Sequence, residues 1–211
     1  MNKEKIIKIL KEKSNQIEYL ILTISILIGL YLRSLPIPKL EGKYQLEVDG
    51  YLFLRYTEYI VENGKIMLLD LMRNYPAGYD PGGENIFLSY FIAYLYKIIT
   101  LFLPDITVAQ VTIIYPLITF ILSMVLFFLL VKKLTNSEIS LIATAYLVIF
   151  PHFFFRSLGG FVDKEPLGIL FMFLSYYLYI LALQNKIIKN KICFGILAGI
   201  LWGLGMLASL R

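Results

Sequence analysis

The sequence predicts an all-α, polytopic membrane protein with about five transmembrane helices and a long external loop carrying interfacial helices. Three observations carry that prediction. Of 211 residues, 58% are hydrophobic and 15% aromatic, more apolar surface than a soluble domain of this length can bury. The apolar residues gather in six long stretches, Ile17 to Leu35, Ile86 to Leu103, Ile106 to Val131, Ile139 to Phe155, Leu167 to Leu183 and Ile192 to Leu210. The lysines lie in the N-terminal tail and in short connections between those stretches, so the formal charge of +5 reports membrane orientation and no nucleic-acid partner is expected.

Residues 1–16 form a basic tail with five lysines, expected on the cytoplasmic side, and residues 17–211 form the transmembrane domain. The run from Ile17 to Leu35 is too long for the apolar region of a signal peptide, and no small-x-small cleavage site follows it, so it is read as a retained first span. The stretch Ile86 to Leu103 decides the topology. If it crosses, Lys132, Lys133, Lys186, Lys189 and Lys191 fall outside; if it lies along the surface, all five fall inside. Ser89, Ala93, Lys97 and Thr100 recur in it at helical spacing, which reads as the wet stripe of an interfacial amphipathic helix, against the alternative of a tilted span whose Lys97 snorkels. The remaining five stretches then cross, and two external loops result, residues 36–105 and residues 156–166.

The longer loop is punctuated by Pro36, Pro38, Gly42 and Gly64 and by the run from Tyr75 to Gly83, residues that favour turns. Asp49 to Glu62 reads as a short helix. The shorter loop holds Arg156, Asp163 and Glu165 hard against a span, where an ionisable cluster is a functional-site hypothesis by default.

Asp49, Asp163 and Glu165 are the carboxylates with the best claim to chemistry, because both loops emerge on one face and can converge. Carboxylates with a few waters suit Mg²⁺ or Mn²⁺, and such a cation can neutralise charge on a leaving phosphate oxygen. Arg156 suits recognition of phosphate or carboxylate. A structural reading stands beside this one: Asp49 as a helix N-cap, Asp163 as the cap of a helix opening near Pro166. Arg33, at the outer end of the first span, either snorkels to headgroups or meets a lipid phosphate. His152 is the single histidine and reads as an interface residue, and without histidine partners no hydrolase triad is supported. Cys193 excludes an internal disulfide and a cysteine-based zinc site.

Two stretches resemble the catalytic subunit of oligosaccharyltransferase in its archaeal, single-subunit form. One is Asp49-Gly-Tyr-Leu-Phe-Leu-Arg55-Tyr-Thr-Glu-Tyr-Ile-Val-Glu-Asn-Gly64, followed by Asn74-Tyr-Pro-Ala-Gly78; the other is Arg156-Ser-Leu-Gly-Gly-Phe-Val-Asp163-Lys-Glu165. The resemblance runs from the first span to the fifth and covers only the N-terminal part of the family's length. It implies the multispan fold of lipid-phosphosugar glycosyltransferases. It also implies transfer of an oligosaccharide from a polyprenyl (dolichyl) phosphate or pyrophosphate to the Asn of an Asn-x-Ser/Thr sequon, with inversion at the anomeric carbon. Carried over, the resemblance implies that Asp49, Asp163 and Glu165 hold the divalent cation, Mn²⁺ or Mg²⁺, that Asp49 also lies near the acceptor amide and that Arg156 sits in the acceptor or phosphate region, which makes Asp49 and Arg156 the expected catalytic residues; Arg33 and Arg55 are expected beside Arg156 as substrate-binding residues. Lys164 stands where eukaryotic members commonly have asparagine, and is expected to point away from the cation.

The later spans, a later external loop with a catalytic glutamate and a Trp-Trp-Asp motif have no counterpart among these residues. A fragment, one half of a split enzyme completed by a second chain, or a degenerate remnant is therefore expected. The rival functions are a non-catalytic scaffold or lipid-carrier-binding protein and another polyprenyl-phosphate-sugar glycosyltransferase. The expected location is the cell membrane, multi-pass, N-terminus inside and site outside.

Overall fold

The computed structural model describes residues 3–83 and 86–209, the side chains of residues 3–15, 83 and 209 excepted. Met1 and Asn2 of the predicted tail, Glu84 and Asn85 of the long loop, and the end of the last predicted span at Leu210 with Arg211 lie outside the described residues, as do the side chains of the tail's lysines. Within them the chain is helix and loop, with a single isolated β-bridge between Asp70 and Tyr79.

The predicted tail and first span form one helix, α1 (Lys3–Ser34). A 3₁₀ turn at Ile37–Leu40 leads to α2 (Val48–Asn63), which ends on Gly64 in the left-handed conformation with its N–H on the Ile60 carbonyl. Four helical segments are long and apolar enough to cross a membrane: Gln16–Leu40, α4 (Val108–Leu134), α7 (Glu165–Gln184) and Ile188–Ala208 of α8 (Ile188–Ser209). These apolar helices make it a multi-pass membrane protein.

Helix α4 is the axis of the fold. A reciprocal capping box opens it, with Gln110 N–H donating to Thr107 Oγ1 at 3.2 Å and Thr107 N–H to Gln110 Oε1 at 2.9 Å. Val111, Tyr115, Phe120, Met124 and Phe128 are fully buried along it, against α1 and α5 on one side and α7 on the other. Helix α7 in turn packs along α8.

Two predicted stretches differ in detail. Helix α3 (Phe87–Ile99) has 13 residues and spans about 20 Å, too short for a hydrocarbon core, as a surface helix should be. Its Ser89 and Ala93 are not a wet stripe, because both are buried, and Ser89 Oγ donates to the Phe53 carbonyl of α2 at 3.3 Å. Tyr94 and Lys97 make the exposed side instead. The small residues at that spacing serve close packing of α3 on α2. The stretch from Ile139 to Phe155 is not one helix either. It forms α5 (Ser137–Ile149) and the short α6 (Pro151–Arg156), broken at Phe150. Proline disfavours the α conformation in the residue before it, and Phe150 is extended.

Candidate functional site

Two loops meet where the acidic residues lie. The shorter loop leaves α6 at Ser157 and turns through Gly159 and Gly160. Gly160 has φ +84°, and a Cβ there would stand 2.3 Å from Leu40 Cδ1, so neither the conformation nor the space admits a side chain. The Gly160 carbonyl accepts from Leu46 N–H at 2.8 Å, Gly160 N–H donates to the Ile113 carbonyl at 2.9 Å, and the buried Tyr115 hydroxyl donates to the Asp163 carbonyl at 2.8 Å. The convergence of the two loops is thus a matter of backbone hydrogen bonds onto α4 and onto each other.

Arg156, Asp163 and Glu165 come together. The Arg156 guanidinium pairs with Asp163 through Nη1, and its Nε lies 2.9 Å from Glu165 Oε2. Glu165 Oε2 is buried but out of line for a hydrogen bond with that Nε. Asp163 Oδ1 accepts from Lys164 N–H at 2.7 Å, and α7 opens with Glu165 and Pro166 and no side-chain cap. Asp163 is therefore the partner of Arg156 and of its neighbour's amide, and no N-cap.

From the longer loop, Asp49 lies exposed in the first turn of α2, where a negative charge is favourable to the helix dipole. The N-cap position belongs to extended Glu47, whose side chain makes no cap bond. Glu47 was missed in the sequence. Its Oε2 is buried without a hydrogen-bond partner, and its carboxyl is pushed up by burial and by the negative charges of Asp163, Asp49 and Glu165, with Arg156 opposing. Glu47 thus shares one electrostatic field with every charged residue of the site. Gln45 was missed too: it is 6% exposed, and neither amide atom has a hydrogen-bond partner. A Cβ on Gly50 would touch Gln45 Cβ at 3.1 Å and Val162 Cβ at 3.4 Å, which shows how closely the two loops pack here. An acid two residues before another acid, at the start of a helix, is the only sequence signal that pointed to Glu47.

The donors suit a hard cation, being carboxylate oxygens, two of them, Glu47 Oε2 and Glu165 Oε2, buried without a hydrogen-bond partner. Among the described residues, however, no three His, Cys, Asp or Glu side chains stand close enough together to hold an ion. Asp163 and Glu165 are turned to Arg156 instead.

The other two arginines are engaged in the fold. Arg55 forks onto Asp70, Nη1 to Oδ1 at 2.7 Å and Nη2 to Oδ2, and Asp70 also accepts from Tyr56 Oη at 3.1 Å and Met72 N–H at 3.0 Å. The Arg55 guanidinium holds the buried Asp70 carboxyl below its usual range, and Arg55 is itself raised by the same bond. Arg33 does not snorkel: it is fully buried, stacked 3.8 Å from the Phe120 ring centroid. The Arg33 guanidinium is therefore closed off from solvent, whereas Arg55, paired to Asp70, keeps a partly exposed side chain. His152 is exposed and lines, with Glu165, Met172, Trp202 and Met206, a mostly apolar cavity of about 270 Å³.

Residues 41–209 match the family model described as oligosaccharyl transferase STT3, N-terminal. Among curated proteins, no sequence matches. Among solved structures, the chain is similar to the Archaeoglobus fulgidus oligosaccharyltransferase in its apo form, with TM-score 0.72, 20% identity and 90% of this chain covered against 23% of that one. It is similar to the same enzyme in complex with Zn and sulfate, with TM-score 0.69, 21% identity and coverage of 89% and 25%. It also matches the archaeal oligosaccharyltransferase AglB from A. fulgidus in complex with an inhibitory peptide and a dolichol-phosphate, with TM-score 0.70, 20% identity and coverage of 92% and 24%. The chain spans about a quarter of the length of these structures. The shared fold is therefore that of the N-terminal membrane part.

Proposed function

Because this chain belongs to the oligosaccharyl transferase STT3 family through its N-terminal region, we propose that it forms the N-terminal membrane portion of an enzyme that moves a lipid-linked oligosaccharide onto asparagine. The donor is a polyprenyl phosphate or pyrophosphate sugar and the acceptor the amide of an Asn-x-Ser/Thr sequon. The observation that carries this reading is the meeting of Arg156, Asp163 and Glu165 with the Glu47–Asp49 end of the first loop, on loops joined through Leu46 N–H and the Gly160 carbonyl.

In this reading Asp49, Asp163 and Glu165 would hold a divalent cation, Mg²⁺ or Mn²⁺, on the external face once drawn together and released by Arg156, with the N-terminus of the chain inside. Bound there, the cation supplies Lewis-acid stabilisation to the phosphate oxygen that leaves. The chain's own part is placement. An amide nitrogen is a poor nucleophile, so its position against the sugar carbon and the fixed charges around the leaving group carry the rate. Asp49, exposed at the mouth of the site, faces the acceptor amide; Arg156, a third exposed, is within reach of both a phosphate and the two acids. That one structure of a similar enzyme holds dolichol-phosphate and another Zn and sulfate is in keeping with a lipid phosphate and a cation as ligands.

The test is glycopeptide formation by the chain assembled with the remaining part of the enzyme. Asp49→Ala and Asp163→Ala should each lower metal-dependent transfer by about 100-fold or more, the scale of losing one stabilising group in a transition state. Undiminished transfer by both variants would sink the reading.

A further inference from the structure

Among the described residues Arg33 is the largest fully buried side chain, and no carboxylate pairs with it. An arginine inside a membrane domain is costly and is kept where it serves something. What holds it is informative. Nε donates to Ser157 Oγ at 2.8 Å, Nη2 to the Val148 carbonyl at 3.0 Å and Nη1 to the Gly29 carbonyl at 3.2 Å. The Phe120 and Phe154 rings lie 3.8 and 4.8 Å from its Cζ, a cation–π cradle in place of a counter-ion.

Those partners straddle the break at Phe150. Val148 belongs to the last turn of α5, where carbonyls lack helical partners, and Pro151 brings no N–H to supply one. Ser157 immediately follows α6 and Arg156. One planar guanidinium therefore reaches both sides of the interruption, which a lysine ammonium cannot do with the same fork. The Arg33 backbone adds a second hold, its carbonyl accepting from Gly159 N–H at 2.9 Å. Helix α6 is only six residues long and has little stability of its own, so its rotation, and with it the direction of Arg156, depends on such holds.

We propose that Arg33 is a positioning residue for the charged cluster: by spanning the α5–α6 break and gripping Ser157, it sets the approach of Arg156 to Asp163 and Glu165. The catalytic meaning of that placement rests on the function proposed above, but the placement itself can be read without catalysis.

The experiment uses the full chain with Cys193→Ser in lipid nanodiscs, spin-labelled at Lys43→Cys on the first loop and Lys164→Cys on the second. Pulsed dipolar spectroscopy reads the distance distribution between the loops. With Arg33 present, one narrow distribution is expected. Arg33→Met should broaden it about twofold or more, Arg33→Lys should restore part of the narrowness through its retained charge, and Ser157→Ala should broaden it with helix content unchanged. Ser157→Ala removes only one oxygen, so it decides the matter even if Arg33→Met fails to fold. An unchanged distribution in Ser157→Ala overturns the proposal, whether or not Arg33→Met folds. Mn²⁺ titration of the same samples separates the two claims: no Mn²⁺ binding by the unsubstituted chain counts against the proposed function and leaves the loop distances to judge Arg33.

Discussion

Arg156 Nε lies 2.9 Å from Glu165 Oε2 while the same guanidinium meets the Asp163 carboxylate, so one fixed cation spans both acids of the second loop. A divalent ion entering between those acids has to displace this internal partner. The arginine and the ion are thus competitors for the same oxygens.

Removing the competitor should show in binding. Arg156→Met is expected to raise Mn²⁺ affinity about tenfold, roughly 1.4 kcal/mol, because two carboxylates are left without a neighbouring positive charge. Glycopeptide formation in the assembled enzyme should fall all the same, since the guanidinium is then missing from the substrate's side. Electron paramagnetic resonance titration of free Mn²⁺ measures the first effect; weaker binding by Arg156→Met would mean that the arginine organises the acids and does not compete for them.

Asp70 makes a pH-dependent clasp. Its folded pKa is lowered by the Arg55 hydrogen bonds, so its contribution to loop stability is present above the ordinary carboxyl value of 3.8 and is lost as pH falls through the lowered value. Hydrogen exchange of residues 68–80 should accelerate in that acid window. Asp70→Asn should accelerate it already at pH 7, by an opening cost lowered by about 2–3 kcal/mol, and should flatten the acid response.

At Gly29 helix α1 packs tightly on α4 and α5. A Cβ there would stand 2.5 Å from Phe120 Cζ and 2.8 Å from Val148 Cγ1. Gly29→Ala should destabilise the chain by about 1–3 kcal/mol in a reversible unfolding titration. Gly195→Ala, on an open face of α8 with nothing within 4 Å, should be neutral or stabilising by up to about 1 kcal/mol.

Membrane orientation is checked by thiol labelling in oriented vesicles with Cys193 replaced. Lys164→Cys should react with an impermeant reagent from outside and Lys133→Cys only from inside. The opposite pattern would mean that α3 and its flanks cross the bilayer after all.

Much of this was legible in the residues. Length and hydropathy located the long helices, Gly64 closed α2 at its predicted end, and the Arg156 to Glu165 run assembled as a cluster. The wet stripe on α3 was misread because Ser89 and Ala93 are small as well as polar or neutral, and helical spacing cannot distinguish a solvated face from a close-packed one. Pro151 carried the break of the stretch from Ile139 to Phe155, but continuous apolarity around it concealed the change of direction. Arg33 and Arg55 also have partners within the fold, a serine and two backbone carbonyls in the first case and an aspartate from an irregular turn in the second, pairings that no local pattern announces. Glu47 and Gln45 escaped notice because their significance lies in burial between two loops distant in sequence.

Were α5 to cross the bilayer as the sequence predicts, the break after it would act on the surrounding lipid. A helix of 13 residues covers about 20 Å of a hydrocarbon layer near 30 Å, so the bilayer beside it is drawn thin or the polar ends of α5 and α6 sit below the headgroup plane. Either outcome makes a dent in the membrane next to the charged cluster. Under the proposed function, a phosphate on a long isoprenoid tail would then meet fixed charges without leaving the depth at which its tail is comfortable.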